Sequence, residues 1–217
     1  MTAPSSASQP NIEVRLARIG LCTQPLKEAI GASNTERERC SPHSIKTAPG
    51  FYAYNGLVAG LSGLAAYDWE RGNLGGVLPI WFHAGSRVRL IVTSGNTFTG
   101  ILGGDPPRSR YAKGELVQQM VKRNQKSNMS PLFDLAMDVD GAGDPTTMYD
   151  LWILMIYFDK AKSEIRSEVS RPTGVGGRGF IGSMTDRILL PSYVVDDMSG
   201  DDPNEGFGEV DVPVIPR

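Results

Sequence analysis

The sequence predicts an α+β protein: an antiparallel β-meander in the C-terminal half, packed against helices from the N-terminal half, with an acidic C-terminal arm. Three observations support this class. Apolar residues recur at helical spacing in the first half, and β-branched and apolar runs dominate the second. The connector at residues 160–163 is too short for a parallel crossover, so its flanking strands should be antiparallel neighbours. Helices covering such a sheet give the expected layered architecture.

Three helices are predicted from apolar positions that recur every three or four residues. The first begins near Asn11, the second covers residues 51–66, and the third runs from about residue 113 to 125. Their apolar stripes are Ile12, Leu16 and Ile19; Leu57, Leu61 and Leu64; and Leu116, Val117, Met120 and Val121. Pro25 ends or restarts the first helix, and residues 33–43 are charged and read as a turn-like connector.

Residues 49–67 carry no charge and contain Gly56 and Gly60, a spacing that lets two helices approach closely. The segment is short for a bilayer and includes tyrosines, an asparagine and a serine, so it predicts a buried helix and no membrane contact. The N-terminus lacks a basic region followed by an apolar run, which favours a cytoplasmic location.

The predicted strands follow changes in hydrophobic period. Residues 87–93 suit a strand, with residues 97–102 as a hairpin mate, and the continuous apolar run at 148–158 predicts a central strand buried on both sides. Residues 164–171 alternate, with Ile165 and Val169 opposite Glu164, Arg166 and Glu168, as in a half-exposed outer strand. Residues 180–181 and 187–190 supply a third strand.

The chain divides into three parts by composition. Residues 1–10 are rich in serine, alanine and proline and are predicted to be disordered, and residues 11–195 form a single α+β domain. Residues 196–217 form the acidic arm, which has seven acids and no base between 196 and 211. Whether Cys22 and Cys40 pair is left open by the sequence.

Charge is distributed unevenly along the chain. Residues 1–130 hold 15 Lys and Arg against 8 Asp and Glu, whereas residues 131–217 hold 7 against 16. Eight cations between residues 87 and 126 are the predicted polyanion-binding residues: Arg87, Arg89, Arg108, Arg110, Lys113, Lys122, Arg123 and Lys126. Gln118, Gln119 and Asn124 add hydrogen-bonding groups among them.

Cations that neutralise phosphates release condensed counterions, so this cluster predicts binding to nucleic acid or to an acidic protein surface, modulated by the acidic arm. The opposite charges of the two halves also allow a homo-oligomer or a structural role within an assembly. A third interpretation is purely local, because cations near the C-terminus of a helix are favoured by its dipole.

The sequence carries no recognisable cofactor motif, and catalysis is not the favoured function. No phosphate loop, nucleophile elbow or complete zinc spacing is present in the sequence, and no cofactor is predicted. The enzymatic alternative is a metal-dependent hydrolase or nuclease that uses Asp150, Asp159 and Glu164, with Arg166 where a catalytic lysine would normally lie. A weaker metal alternative, Asp138, Asp140 and Asp144, departs from the calcium-loop pattern at Ala142 and Tyr149.

Overall fold

The computed structural model describes residues 12–41, 43–129 and 149–196. Its helices are α1 (Ile12–Ala17), α2 (Thr23–Glu38), α3 (Ala48–Gly60) and α4 (Glu115–Met129), and a 3₁₀ helix over Leu61–Tyr67 continues α3. The strands are β1 (Trp69–Leu74), β2 (Leu78–His83), β3 (Val88–Ser94), β4 (Asp150–Asp159), β5 (Glu164–Val175), β6 (Ile181–Leu189) and β7 (Tyr193–Val194). Three predictions concern residues outside the described ranges: the acidic arm after Asp196, disorder in residues 1–10, and the metal alternative of Asp138, Asp140 and Asp144.

All seven strands belong to one sheet, in the order β1-β2-β3-β4-β5-β6, with β7 pairing beside the start of β5. Every neighbouring pair is antiparallel except β3 and β4, which run parallel with Val88 opposite Asp150. A parallel pair needs a long crossover connection. Residues 95–149, which include α4, provide it.

The two faces of the sheet are covered by different helices. Helices α1, α2 and α3 pack on one face, against side chains such as Trp81, Trp152 and Phe158. Helix α4 packs on the other, where Val117, Met120 and Val121 meet a cluster that includes Ile153. The alternation of β4 residues between the two clusters explains its unbroken apolar sequence, because both of its faces are buried.

The structure confirms the α+β class and the central strand that is buried on both faces. It also confirms the predicted helices, which correspond to α1, α3 and α4. The simple C-terminal meander is wrong in two respects. The sheet begins at Trp69, with a β1–β2 hairpin that the sequence reading missed, and it contains one parallel pair. Residues 97–100 form a turn. The hairpin mate predicted over residues 97–102 is wrong, because β3 pairs with β2 on one side and with β4 on the other.

The charge-free segment is buried on one side only: Leu57, Leu61 and Leu64 lie in the core, whereas Phe51, Tyr52 and Tyr67 are exposed. A Cβ at Gly56 would lie 2.6 Å from the backbone oxygen of Ala32, and a Cβ at Gly60 would lie 2.6 Å from the Cα of Ala29. The two glycines therefore let α3 pack closely on α2. Within the described part of the chain, no helix is long and apolar enough to cross a membrane.

The prediction of a turn-like connector over residues 33–43 is wrong for residues 33–38, which belong to helix α2. The same helix shows whether Cys22 and Cys40 can pair. Cys22 immediately precedes the helix and Cys40 follows its end, so about 18 residues of mostly helical chain, or roughly 27 Å, separate them. Both are free thiols. A disulfide requires Cα atoms within about 7 Å, so these two cysteines do not pair.

Strand β5 is not the half-exposed strand that its alternation predicts. Residues Ile165 to Pro172 are all buried, including Arg166 and Glu168, which is fully inaccessible. The charged side chains are buried because they are paired with one another and with the neighbouring strands. Arg166 pairs with Asp159 of β4, and Glu168 pairs with Arg187 of β6.

Candidate functional site

Helix α4 has two different sides. Val117, Met120, Val121 and Asn124 are buried against the sheet at the i, i+3, i+4, i+7 spacing of one helical face. The opposite side is exposed and carries Leu116, Gln119, Lys122, Arg123 and Lys126. Folding therefore separates the apolar stripe from the three cations, which all point away from the core.

Asn124 anchors α4 to the sheet. Its Nδ2 donates to the backbone oxygens of Leu151 and Pro172, both at 2.8 Å, and its Oδ1 accepts from the Leu151 N–H at 3.0 Å. These bonds use both ends of the amide in the interior. Asn124 is thus a structural residue, and the expectation that it adds a hydrogen-bonding group to a phosphate site is wrong.

A second contact fixes the last turns of α4. Arg171 of β5 donates to both carboxylate oxygens of Asp150, at 3.0 and 3.1 Å, and to the hydroxyl of Ser127 at 2.7 Å. The backbone oxygen of Arg87 accepts from the Asp150 N–H at 2.9 Å. Arg87, which is exposed, therefore lies at the same end of the sheet as the final turns of α4.

The α4 basic patch, defined as Lys122, Arg123 and Lys126, lies on this anchored helix. Among the described residues, none of the three forms an ion pair. By contrast, several arginines in the described part of the chain pair with carboxylates, among them Arg15, Arg39, Arg166, Arg171 and Arg187. The only acid in α4 is Glu115, in its first turn, where it accepts a hydrogen bond from Gln119. Within the described part of the chain, no ion pair therefore compensates the positive charge of the patch.

The other predicted cations are in different environments. Arg89 is buried, with its guanidinium over the rings of Phe82 and Tyr149 and its Nη1 3.3 Å from the sulfur of Met120. Lys113 is also buried. These two side chains belong to the interior, so they do not extend the exposed patch.

Arg108 lies near the other end of α4. It is exposed, and its guanidinium stacks on the ring of Phe180 at 5.3 Å. The neighbouring Gly179 accepts from the Lys113 N–H just before α4 begins. Arg110 is half-buried in the same approach to the helix. Near the start of α4, Arg108 is therefore the exposed member of the predicted set, and the α4 basic patch lies towards the other end of the helix.

The acids of the hydrolase alternative do not come together. Asp159 and Glu164 face each other across β4 and β5, and both approach Arg166, at 3.0 and 3.8 Å. Asp150 lies at the opposite end of β4 and is held by Arg171. Among the described residues, no three His, Cys, Asp or Glu side chains form a group that could hold a metal ion.

A cavity that sequence reasoning missed lies on the opposite side of the sheet, between the first turns of α2 and the connection from β6 to β7. Its volume is about 310 Å³. The residues that line it are Thr23, Gln24, Lys27, Ile30, Leu190, Pro191, Ser192 and Tyr193. The sequence indicates only one wall of this cavity, through the i, i+4, i+7 spacing of Thr23, Lys27 and Ile30 on one side of a helix. The other wall, residues 190–193, is about 160 residues later in the chain, so no local sequence pattern links the two walls.

Comparison with known proteins gives no functional information to add to this geometry. No family model, no curated protein and no solved structure matches the chain.

Proposed function

We propose that this protein is a non-enzymatic binding protein that holds a polyanion, nucleic acid in the first instance, on the α4 basic patch. The proposal rests on a difference in ion pairing between the cations of α4 and the arginines of the sheet. Lys122, Arg123 and Lys126 have no ion pair among the described residues, whereas Arg166, Arg171 and Arg187 in the sheet all do.

The geometry of α4 suits a phosphate backbone. The helix has 15 residues and is about 22 Å long, and it is anchored through Asn124 and Arg171. Lys122 and Lys126 are one turn apart, so they can reach successive phosphates, and the Arg123 fork can grip one phosphate at two points. The exposed side of α4 has no aromatic residue, which favours contact with the backbone over stacking on bases.

An acidic protein surface is the second candidate partner. Leu116 is 48% exposed on the same side of α4, and an apolar contact beside cations suits a protein partner better than a nucleic acid. We include the acidic arm in the proposal as a competitor for the patch, since residues 196–211 contain seven acids and no base. Deleting residues 197–217 should then tighten binding.

Two other functions receive less support. A hydrolase would need Asp150 beside Asp159 and Glu164, and the length of β4 separates them.

The other alternative is a subunit that assembles through its opposite charge patches. It predicts a molecular mass that rises with protein concentration and falls in high salt, which sedimentation can measure.

Fluorescence anisotropy with a short labelled DNA duplex at low salt tests the proposal. The triple variant Lys122→Gln, Arg123→Gln, Lys126→Gln should weaken binding by more than about tenfold, because three phosphate contacts are lost. The control carries Arg39→Gln, Lys46→Gln and Lys162→Gln, which are exposed, remove the same charge and lie away from α4. Equal weakening in both variants would show that only net charge matters, and the proposed site would be rejected.

A labelled acidic peptide in the same assay separates the two candidate partners. Tighter, patch-dependent binding of the peptide than of the duplex would replace nucleic acid by an acidic protein as the partner.

A further inference from the structure

The cavity between α2 and the β6–β7 connection has an apolar floor and a polar rim. Ile30 and Leu190 form the floor and are only 2% and 8% exposed. Tyr193 forms part of the second wall, and its ring packs beside Gly31, where a Cβ would already lie 3.5 Å from the phenol oxygen. Position 31 therefore lies within ordinary van der Waals distance of the tyrosine ring at the edge of the cavity.

Most polar groups of the α2 wall are already used. The hydroxyl of Thr23 donates to the carboxylate of Glu13, and Gln24 Nε2 donates to Glu28 at 2.6 Å. Lys27 is different, because within the described residues it has no ion pair. It is also the only charged side chain among the described residues that line the cavity.

A hydrophobic floor with one cation at the rim favours a ligand that is mostly apolar and carries one negative charge. Ligand sites are usually apolar cavities with a few polar groups that fix orientation, and 310 Å³ is at the small end of their range. A hydrocarbon body would cover Ile30 and Leu190, while a single negative charge would meet the ammonium group of Lys27. A polyvalent anion would find no second cation among the lining residues that the structure describes.

We propose that this cavity binds a small monocarboxylate with an apolar body. The carboxylate pairs with Lys27 at the rim, the hydroxyl of Ser192 is available as a second donor, and the hydrocarbon part lies between Ile30 and Tyr193. The site is on the face of the sheet opposite α4, so it is independent of the proposed polyanion surface.

The test uses the full chain with 4-phenylbutyrate and its uncharged amide, 4-phenylbutyramide, as probes. Binding is followed by ¹H–¹⁵N chemical-shift titration. We expect Kd values in the millimolar range or tighter, as small ligands allow, and a preference for the carboxylate of about fivefold, as a partly exposed ion pair provides. The shifts should centre on Lys27, Ser192 and Tyr193.

Three variants locate the site. Lys27→Gln should abolish the preference for the carboxylate while retaining binding of the amide. Ser192→Trp places a ring at the cavity mouth and should prevent binding of both probes; Ser192 is exposed, so the substitution leaves the core intact. Lys46→Gln removes the same charge beyond the far end of α2 and should change nothing.

The proposal is overturned if neither probe binds, if Ser192→Trp still binds both, or if Lys27→Gln keeps the preference for the carboxylate. Because the duplex assay uses a different face and different variants, this result is independent of whether α4 binds a polyanion.

Discussion

Glu168 of β5 and Arg187 of β6 form a two-point ion pair in the interior of the protein. The Nε and Nη2 atoms of Arg187 donate to the two carboxylate oxygens at 3.1 and 2.6 Å. The same carboxylate accepts from the Gly100 N–H at 2.8 Å and from the Ser170 hydroxyl at 2.6 Å. Arg187 also donates to the backbone oxygen of Ile101 at 3.0 Å, so this pair holds the loop that follows β3 against β5 and β6.

We expect Glu168→Gln to lower the free energy of unfolding by about 3 kcal/mol or more, because it leaves the Arg187 guanidinium without its counter-charge in a largely buried site. Asp186→Asn makes the same chemical change in the pair between Arg15 and Asp186, where Asp186 is 49% exposed. That control should cost less than about 1 kcal/mol. Urea denaturation measures both, and equal losses would contradict a structural role for the buried pair.

The close approach of α2 and α3 predicts an inverted effect of alanine. Gly60→Ala would normally favour a helix, but its Cβ would lie 2.6 Å from the Cα of Ala29, so we expect a loss of about 1–3 kcal/mol. At Gly63 the nearest atom to a Cβ is 4.0 Å away, on Pro25. Gly63→Ala should therefore be neutral or stabilising, by up to about 1 kcal/mol. Thermal unfolding measures the stability of the two variants. A loss of stability in both, or a gain in both, would contradict a close contact at Gly60.

Tyr67 should titrate abnormally. A side-chain hydrogen bond with Cys22 raises the pKa of Tyr67 above 10.0, and the charge of Cys22, burial and the charge of Glu28 raise it further. The folded phenol then ionises at higher pH than the unfolded one, so its contribution to stability is complete below pH 10 and is lost as the pH rises above that value.

Ultraviolet titration of the phenolate band measures this, with the difference between the wild type and Tyr67→Phe reporting Tyr67 alone. Cys22→Ala should lower the pKa of Tyr67 towards the ordinary value. An unchanged titration in Cys22→Ala would exclude the thiol as the cause.

Elements defined by strong local patterns could be predicted from the sequence. The apolar run from Leu151 to Phe158 has no polar side, so burial on both faces was its only consistent reading. The stripe of Leu116, Val117, Met120 and Val121 likewise predicted α4, with Lys122, Arg123 and Lys126 on the same helix. Three members of the stripe are buried, but Leu116 is 48% exposed, so the prediction was wrong at that position.

Elements whose environment depends on residues distant in the sequence could not be predicted from the sequence. Alternation in β5 does not distinguish a solvated charged face from a buried one, and only the fold reveals that Glu168 meets Arg187, 19 residues later. Asn124 was interpreted as a surface group because its partners, Leu151 and Pro172, lie in strands β4 and β5, far away in the sequence. The parallel pairing of β3 and β4 was hidden by the long crossover, which offers no local signal of strand direction.

The most direct test of the central claim is the salt dependence of duplex binding by the wild type and by the Lys122→Gln, Arg123→Gln, Lys126→Gln variant. If the α4 basic patch neutralises about three phosphates, the slope of log K against log salt should be shallower in the variant by about 2 to 3. An identical slope in the two proteins, or no binding by the wild type even at low salt, would contradict the assignment of polyanion binding to α4.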